Sequence, residues 1–148
     1  MNTDATKVEF FSPVYDPGTD LTYSVISAKF GDKWIFVRHH LRSTYEIAGG
    51  HIEEGESSHE AAVRELMEET GALCFSLECI ATYSVLKDGD TGWGRLYLAM
   101  VDELGPIPDI SEIAEIKLLE ALPEAPTHPD IQPHLFRKTL EYLESIEL

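Results

Sequence analysis

The segment at 57–71 carries both ends of a helix in its own letters. Ser57 is followed three residues later by Glu60, a reciprocal capping pair that opens a helix, and Gly71 supplies the left-handed residue that closes one. At about 100° per residue, Ala62, Val63, Leu66, Met67 and Thr70 share one broad side, which predicts a buried face. Its neighbours limit what that face can meet. LTYSVISAKF (21–30) and KWIFVRHH (33–40) are rich in β-branched and aromatic residues around Gly31-Asp32, which predicts a hairpin. TYEIA (44–48) predicts a short strand running into a turn at Gly49-Gly50. Beyond the helix, SLECIATYSVLK (76–87) and GRLYLAMVDE (94–103) predict two strands joined by the turn-rich DGDTGWG at 88–94. ELGPIPDI (103–110) is broken by Pro106 and Pro108, and AEIKLL (114–119) predicts a last strand. From about Asp130 to Ile146, Leu135, Phe136, Leu140, Leu143 and Ile146 recur at near-helical spacing. Strands, helix, strands, helix: the order predicts an α+β fold, an α/β/α sandwich with a mixed sheet between two helices.

A chain of 148 residues, 43% hydrophobic, suits one domain over 1–148. With 11 basic against 27 acidic residues the formal net charge is −16, a surface that repels phosphate backbones and excludes a nucleic acid polymer as partner. A small anion binds such a chain only where cations bridge the two. Apolar runs such as YLAMV (97–101) fall far short of a membrane span. The opening MNTDATKVEFF lacks the basic patch and apolar stretch of an export signal. Cys74 and Cys79 are expected as buried free thiols, which together with that opening predicts a cytoplasmic, reduced protein with no membrane contact.

The acidity is not evenly spread. Seven glutamates crowd positions 53–69, and Glu65, Glu68 and Glu69 fall within about 100° of arc on one side of the helix. Like charges at that spacing repel by roughly 0.2–0.5 kcal/mol per pair. Taken alone, such a face is most often simply solvated. Three carboxylates nonetheless offer oxygens to a hard cation, and Mg²⁺ suits carboxylates shared with phosphate and water. The Gly50 carbonyl is a further candidate ligand, because glycine lets backbone approach closely. Arg64 is placed to pair with Glu56 and orient the carboxylates beside it. No Asp-rich calcium loop precedes the cluster, and His39, His40 and His51 lack zinc-ligand spacing. Trp34, Trp93 and Tyr83 are expected in packing rather than in stacking on a base.

Residues 50–72 read Gly50, five residues, Glu56, seven residues, Arg64-Glu65-Leu66, one residue, Glu68-Glu69, one residue, Gly71-Ala72. This resembles the Nudix box of the MutT-like hydrolases, with a smaller residue at Ala72 than the usual aliphatic. Gly49, Gly50 and Glu53 match its extended form, while Ala48 stands where many members have proline. The resemblance implies the Nudix fold, a mixed sheet flanked by the box helix and a C-terminal helix. It also implies Mg²⁺- or Mn²⁺-dependent hydrolysis of a nucleoside diphosphate linked to another group.

Carried over residue by residue, it implies Glu65, Glu68 and Glu69 as metal ligands with Gly50. It makes Glu65 the first choice of general base. Glu112 is the distal glutamate expected in a metal or base role, and Arg38, Arg42 and Arg95 are candidates for substrate phosphates. The run at 31–56 looks like the branch that cleaves nucleoside triphosphates, oxidised purine forms such as 8-oxo-dGTP included, to monophosphate and pyrophosphate. The marks of ADP-ribose and dinucleoside polyphosphate enzymes are missing around Lys87, Asp88 and Gly89. ADP-ribose or a nucleotide sugar stands as the alternative substrate, and a non-catalytic, nucleotide-sensing regulator as the alternative class. Related domains are often homodimers.

Overall fold

The computed structural model describes residues 5–146, so the first four residues of the stretch read for an export signal lie outside it. The elements are β1 (Lys7–Phe11), β2 (Tyr23–Phe30), β3 (Lys33–His39), β4 (Ala48–His51), α1 (Ser58–Thr70), β5 (Ala72–Lys87), β6 (Asp90–Leu104), β7 (Ile113–Leu119) and α2 (Gln132–Ile146). The strands form one sheet in the order β1-β5-β6-β2-β3-β7, with β4 paired to β2 beside that path. Among the described residues only the β2–β6 pairing is parallel, which makes the sheet mixed as expected. β2 is shared: Ala28–Phe30 pairs with β3, and Tyr23–Ile26 pairs with β4.

Both faces of this sheet are covered, and the period-2 alternation of its strands shows how. Ile35 of β3 and Tyr97, Ala99 and Val101 of β6 face α1, packing with Ala62 and Leu66. Trp34, Phe36, Leu96 and Leu98 face the other way, packing with Leu135 and Phe136 of α2. This is the predicted sandwich. Burying a large apolar side chain fully is worth about 1.5–3 kcal/mol, so the two clusters are what fix the helices to the sheet. Trp34 sits edge-on to Phe136 at 5.3 Å, and Trp93 packs against Phe11 and Tyr15.

The α1 caps are as read. Ser57 Oγ accepts from the Glu60 N–H at 3.0 Å, Glu60 Oε1 accepts from the Ser57 N–H at 2.9 Å, and Gly71 has φ 78°. The buried side is rotated from expectation. Ala61, Ala62, Leu66, Glu69 and Thr70 are buried, whereas Val63 is half-buried and Met67 exposed, because α1 lies over β2 and β4 with Glu69 turned inward.

Other expectations are corrected. The segment 44–48 is not itself a strand. Glu46 makes one bridge to Val37, and β4 begins at Ala48, so Gly49-Gly50 lies in a strand rather than a turn. Within 88–94 only Asp88 and Gly89 turn, both with positive φ (53° and 83°), and the rest belongs to β6. β5 runs from Ala72, ahead of the predicted start, and β1 pairs with its far half. Both cysteines are free, but Cys74 is exposed and Cys79 half-buried, since the start of β5 runs past the helix that would cover it.

Candidate functional site

Four segments converge on one end of the sheet: the end of β3, the bridge residue Glu46, strand β4, and the inward side of α1. Strand alternation sends Val37 and His39 to the α1 side of β3, and the Val37–Glu46 bridge brings Glu46 alongside. Gly49 and Gly50 of β4 then run beneath α1. A Cβ on Gly50 would stand 2.5 Å from Glu65 Oε1 and 2.6 Å from its carboxyl carbon, so the Glu65 carboxylate lies on bare backbone.

Glu69 is 7% exposed. Its Oε1 accepts from the Gly49 N–H at 2.9 Å, and its Oε2 lies 3.5 Å from His39 Nε2. Burial, reinforced by the charges of Glu65, Glu46 and Glu112 and partly offset by the Gly49 hydrogen bond, pushes its carboxyl up to about 8. Burial likewise raises Glu65, against the pull of Arg64.

Arg64 is the counterweight. It donates from Nε and Nη2 to the two Glu56 oxygens at 2.8 and 2.9 Å, from Nη1 to Glu65 Oε1 at 2.8 Å, and from Nη2 to the His51 carbonyl at 3.1 Å. Glu53 and Glu68 each lie 3.6 Å from it. The fork ties the loop before α1 to the helix, as the sequence suggested. It holds Glu56 down to about 2, and the same partners raise its own pKa.

Among the described residues no three His, Cys, Asp or Glu side chains form a finished metal cage. The donor set nevertheless suits a hard cation. A buried carboxylate faces three other acids, one backbone N–H is the largest force favouring its charged form, and Gly50 leaves a cradle that any side chain would fill. A divalent ion placed among these oxygens turns mutual repulsion into attraction.

This acidic corner borders a cavity of about 780 Å³. Glu65, Gly50, His39, Glu46, Arg42 and Glu112 line it together with the apolar and aromatic Tyr23, Val25, Ile47, Tyr83, Val85 and Leu135, and with Lys87, Asp90 and His128. Glu112 is at the rim, 78% exposed, with Oε2 3.8 Å from His39 Nδ1.

Of the three arginines, only Arg42 lines the cavity, held to Glu46 Oε1 at 3.0 Å. Arg38 donates to Glu115 at 3.1 Å and to the Arg42 carbonyl at 3.0 Å, in a separate open groove with His40 and Lys117. Arg95 is spent on Thr82 and the Tyr15 carbonyl, 3.2 Å each, on the α1 face. His40 contacts the Glu112 carbonyl through Nδ1 at 2.9 Å, and His51 packs on Tyr23 with ring centroids 4.8 Å apart. Glu46 and Lys87 were not anticipated at the site, nor was His39 as a neighbour of carboxylates. The alternation of β3 carries the signal for His39. Nothing local marks Lys87.

Residues 21–138 match the family model described as NUDIX domain. The chain is 36% identical over 99 residues to a Bacillus subtilis protein named "Putative 8-oxo-dGTP diphosphatase YtkD", a match spanning 67% of this chain and 62% of that relative, less than two thirds of its length. Its structure is similar to that of the Bacillus subtilis pyrophosphohydrolase BsRppH, with TM-score 0.73 and 28% identity over 93% of this chain and 92% of that one. It also superposes on the NUDIX domain of Shewanella oneidensis NrtR, solved with ADP ribose, with TM-score 0.65 and 19% identity over 88% and 94% of the two chains. At that identity the likeness is one of fold.

Proposed function

This chain belongs to the Nudix family, and from that premise we propose that it is a divalent-metal-dependent pyrophosphohydrolase. We infer that it cleaves a nucleoside triphosphate, oxidised purine forms such as 8-oxo-dGTP included, to monophosphate and pyrophosphate. One observation carries the reading: the half-buried Glu65 carboxylate, lying on bare Gly50 backbone, lines a cavity that also carries the apolar and aromatic side chains Val25, Ile47, Leu135, Tyr23 and Tyr83. A diphosphate fits the first part and a flat base the second. The relative named as an 8-oxo-dGTP diphosphatase supports the choice of substrate.

Glu65, Glu68 and Glu69, with the Gly50 carbonyl, are the groups that would hold Mg²⁺ or Mn²⁺. Such an ion neutralises phosphate charge and makes water a stronger nucleophile at neutral pH. The chain's own residues do the rest by positioning. Arg64 keeps Glu65 aimed over Gly50, and Arg42, paired with Glu46, and Lys87, paired with Asp130, are the lysine and arginine side chains that line the cavity. Water adds to phosphorus, the bond to the pyrophosphate oxygen breaks, and the water's proton passes to a carboxylate. We assign that proton to Glu65, which Arg64 holds over Gly50 at the cavity and whose burial raises its pKa. Glu112, at the rim, is the second carboxylate within reach of the corner.

Hydrolysis of 8-oxo-dGTP, the ordinary dNTPs, ADP-ribose and nucleotide sugars with Mg²⁺, beside Glu65→Gln, tests the proposal. Release of pyrophosphate from a triphosphate, lost in Glu65→Gln, is expected. Preference for ADP-ribose overturns the substrate, and nucleotide binding without turnover by the unaltered chain overturns the activity in favour of a sensing role.

A further inference from the structure

Glu112 stands on the stretch 105–112, between β6 and β7, and its carboxylate is largely exposed. A side chain so placed reaches a fixed point only if the backbone beneath it is held. Two adjacent histidines, at and just past the end of β3, do the holding. The His39 ring lies beside the carboxylate, with Nδ1 3.8 Å from Oε2. His40 grips the carbonyl of the same residue twice. Its backbone N–H donates to that oxygen at 3.0 Å, and its ring meets it through Nδ1 at 2.9 Å. A carbonyl oxygen only accepts, so Nδ1 carries the proton and the bond settles the tautomer of the ring.

The register of the sheet shows why that carbonyl is within reach. β7 pairs with β3 as Arg38 with Glu115 and then His39 with Ile113, so Ala114 is the extra residue of a bulge. A bulge bends its strand and re-aims the residues beyond it, and bulges gather beside active sites for that reason. Here Ile113 is buried with Val37 and Ala48, and the Glu112 carbonyl comes to rest on His40. On the other side of Glu112, Ser111 bonds within its own loop, to the Pro108 carbonyl and the Ile113 N–H. His40 itself is exposed and borders the open groove of Arg38 and Lys117 rather than the cavity. A single exposed hydrogen bond adds little to folding, so stability is a poor account of the ring.

Resting on the reading above, in which Glu112 is the second carboxylate of the site, we propose that His40 is a positioning residue for the hydrolysis. Its ring Nδ1–H pins the Glu112 carbonyl and thereby sets where the Glu112 carboxylate stands at the cavity. His40 touches no substrate atom. It acts through Glu112 alone, and that makes two demands. The donor must sit where Nδ1 sits: asparagine carries an N–H group the same number of bonds from Cα, and glutamine carries one a bond further out. The contribution of the ring must also vanish once Glu112 has no carboxylate to aim, because two residues acting as one unit are not additive.

Two kinds of measurement test this, one of them independent of metal and turnover. Nitrogen NMR of the metal-free chain, at a pH where the ring is neutral, is expected to show His40 protonated on Nδ1. Hydrogen exchange at the Ser111 and Ile113 amides is expected to quicken by about threefold or more in His40→Ala. The opposite tautomer, or unchanged exchange, overturns the clamp. Kinetics on a nucleoside triphosphate with Mg²⁺ then test its purpose, with Glu112→Gln setting the scale. His40→Ala and His40→Gln are expected to lower kcat about tenfold with KM within about twofold of the parent. His40→Asn should return kcat to within about twofold, and His40→Ala added to Glu112→Gln should cost less than about twofold more. Full activity of Glu112→Gln sinks the inference and leaves the hydrolase reading standing. An equal loss from His40→Ala with or without the Glu112 carboxylate, or equal failure of asparagine and glutamine, also overturns it. A chain that hydrolyses none of the triphosphates overturns the activity, and the tautomer and exchange results alone then uphold or overturn the clamp.

Discussion

Adjacent glycines at 49 and 50 should fail in opposite ways when each gains a methyl group. At Gly50 the new Cβ meets Glu65 Oε1 at 2.5 Å, its carboxyl carbon at 2.6 Å and Oε2 at 2.9 Å, all at the free end of one side chain. Ordinary contact begins near 3.4 Å, so the carboxylate must retreat by roughly 0.9 Å. A shift of about 1 Å in a positioned group costs on the order of 100-fold in rate, while the fold gives up little because only a flexible terminus moves. At Gly49 the Cβ meets the Ser24 carbonyl oxygen at 2.7 Å and Val25 Cα at 2.9 Å, which are backbone atoms of the paired strand β2. Nothing there swings aside, so overpacking should cost about 1–3 kcal/mol of stability. The assay is paired: thermal melting of Gly50→Ala and Gly49→Ala without metal, then kcat with Mg²⁺. Gly50→Ala should melt within a degree or two of the parent and lose about two decades of kcat. Retention of activity within threefold, or a melting loss equal to that of Gly49→Ala, would refute the idea that Glu65 works from bare backbone.

Glu69→Gln should melt above the parent in chelator at pH 7 while abolishing turnover. A carboxyl raised to about 8 costs stability progressively as pH climbs past its ordinary value of about 4.3, and that cost is full above 8. The gap in melting temperature should therefore widen between those two values, and added Mg²⁺ should stabilise the parent more than the variant. Arg64→Ala should cost about 1.5–3 kcal/mol by denaturant titration, and Arg64→Lys should recover little, since one ammonium cannot serve both oxygens of Glu56 as the fork does. Lys87 and then Thr6 hold Asp130 down to about 2, so that contribution is whole above pH 3.9 and lost as pH falls through 2. Lys87→Met should thus lower the melting temperature more at pH 6 than at pH 3.

What could be read in the letters was whatever is encoded locally. The capping pair at Ser57 and Glu60, the terminator Gly71 and the two-sided apolar strands all act within a few residues of themselves, and each is where it was expected. The box residues converge because they share one helix and the loop before it. What escaped depends on pairing between distant segments. β1 alternates over five residues only, too few to stand out, and exists because β5 offers an edge. Asp90–Trp93 looked like a loop by composition, yet the antiparallel ladder extends to the Asp88-Gly89 turn and overrides it. Cys74 and Met67 are apolar enough for a core, but no layer reaches them. Arg38 and Arg95 fell at plausible strand positions, and the partners that occupy them, Glu115 and Thr82, are remote in sequence. His40 reads as an ordinary strand-end residue until the Glu112 carbonyl, 72 residues away, meets its ring.

The two helices grip opposite faces of one sheet, and the cavity passes from the territory of α1, around β4, to that of α2. The acidic corner and the apolar lining proposed to take the base therefore belong to different cores, with β4, a strand of four residues, between them. On the proposed reading, exchanges on α2 would alter what the cavity accepts while leaving the acidic corner untouched.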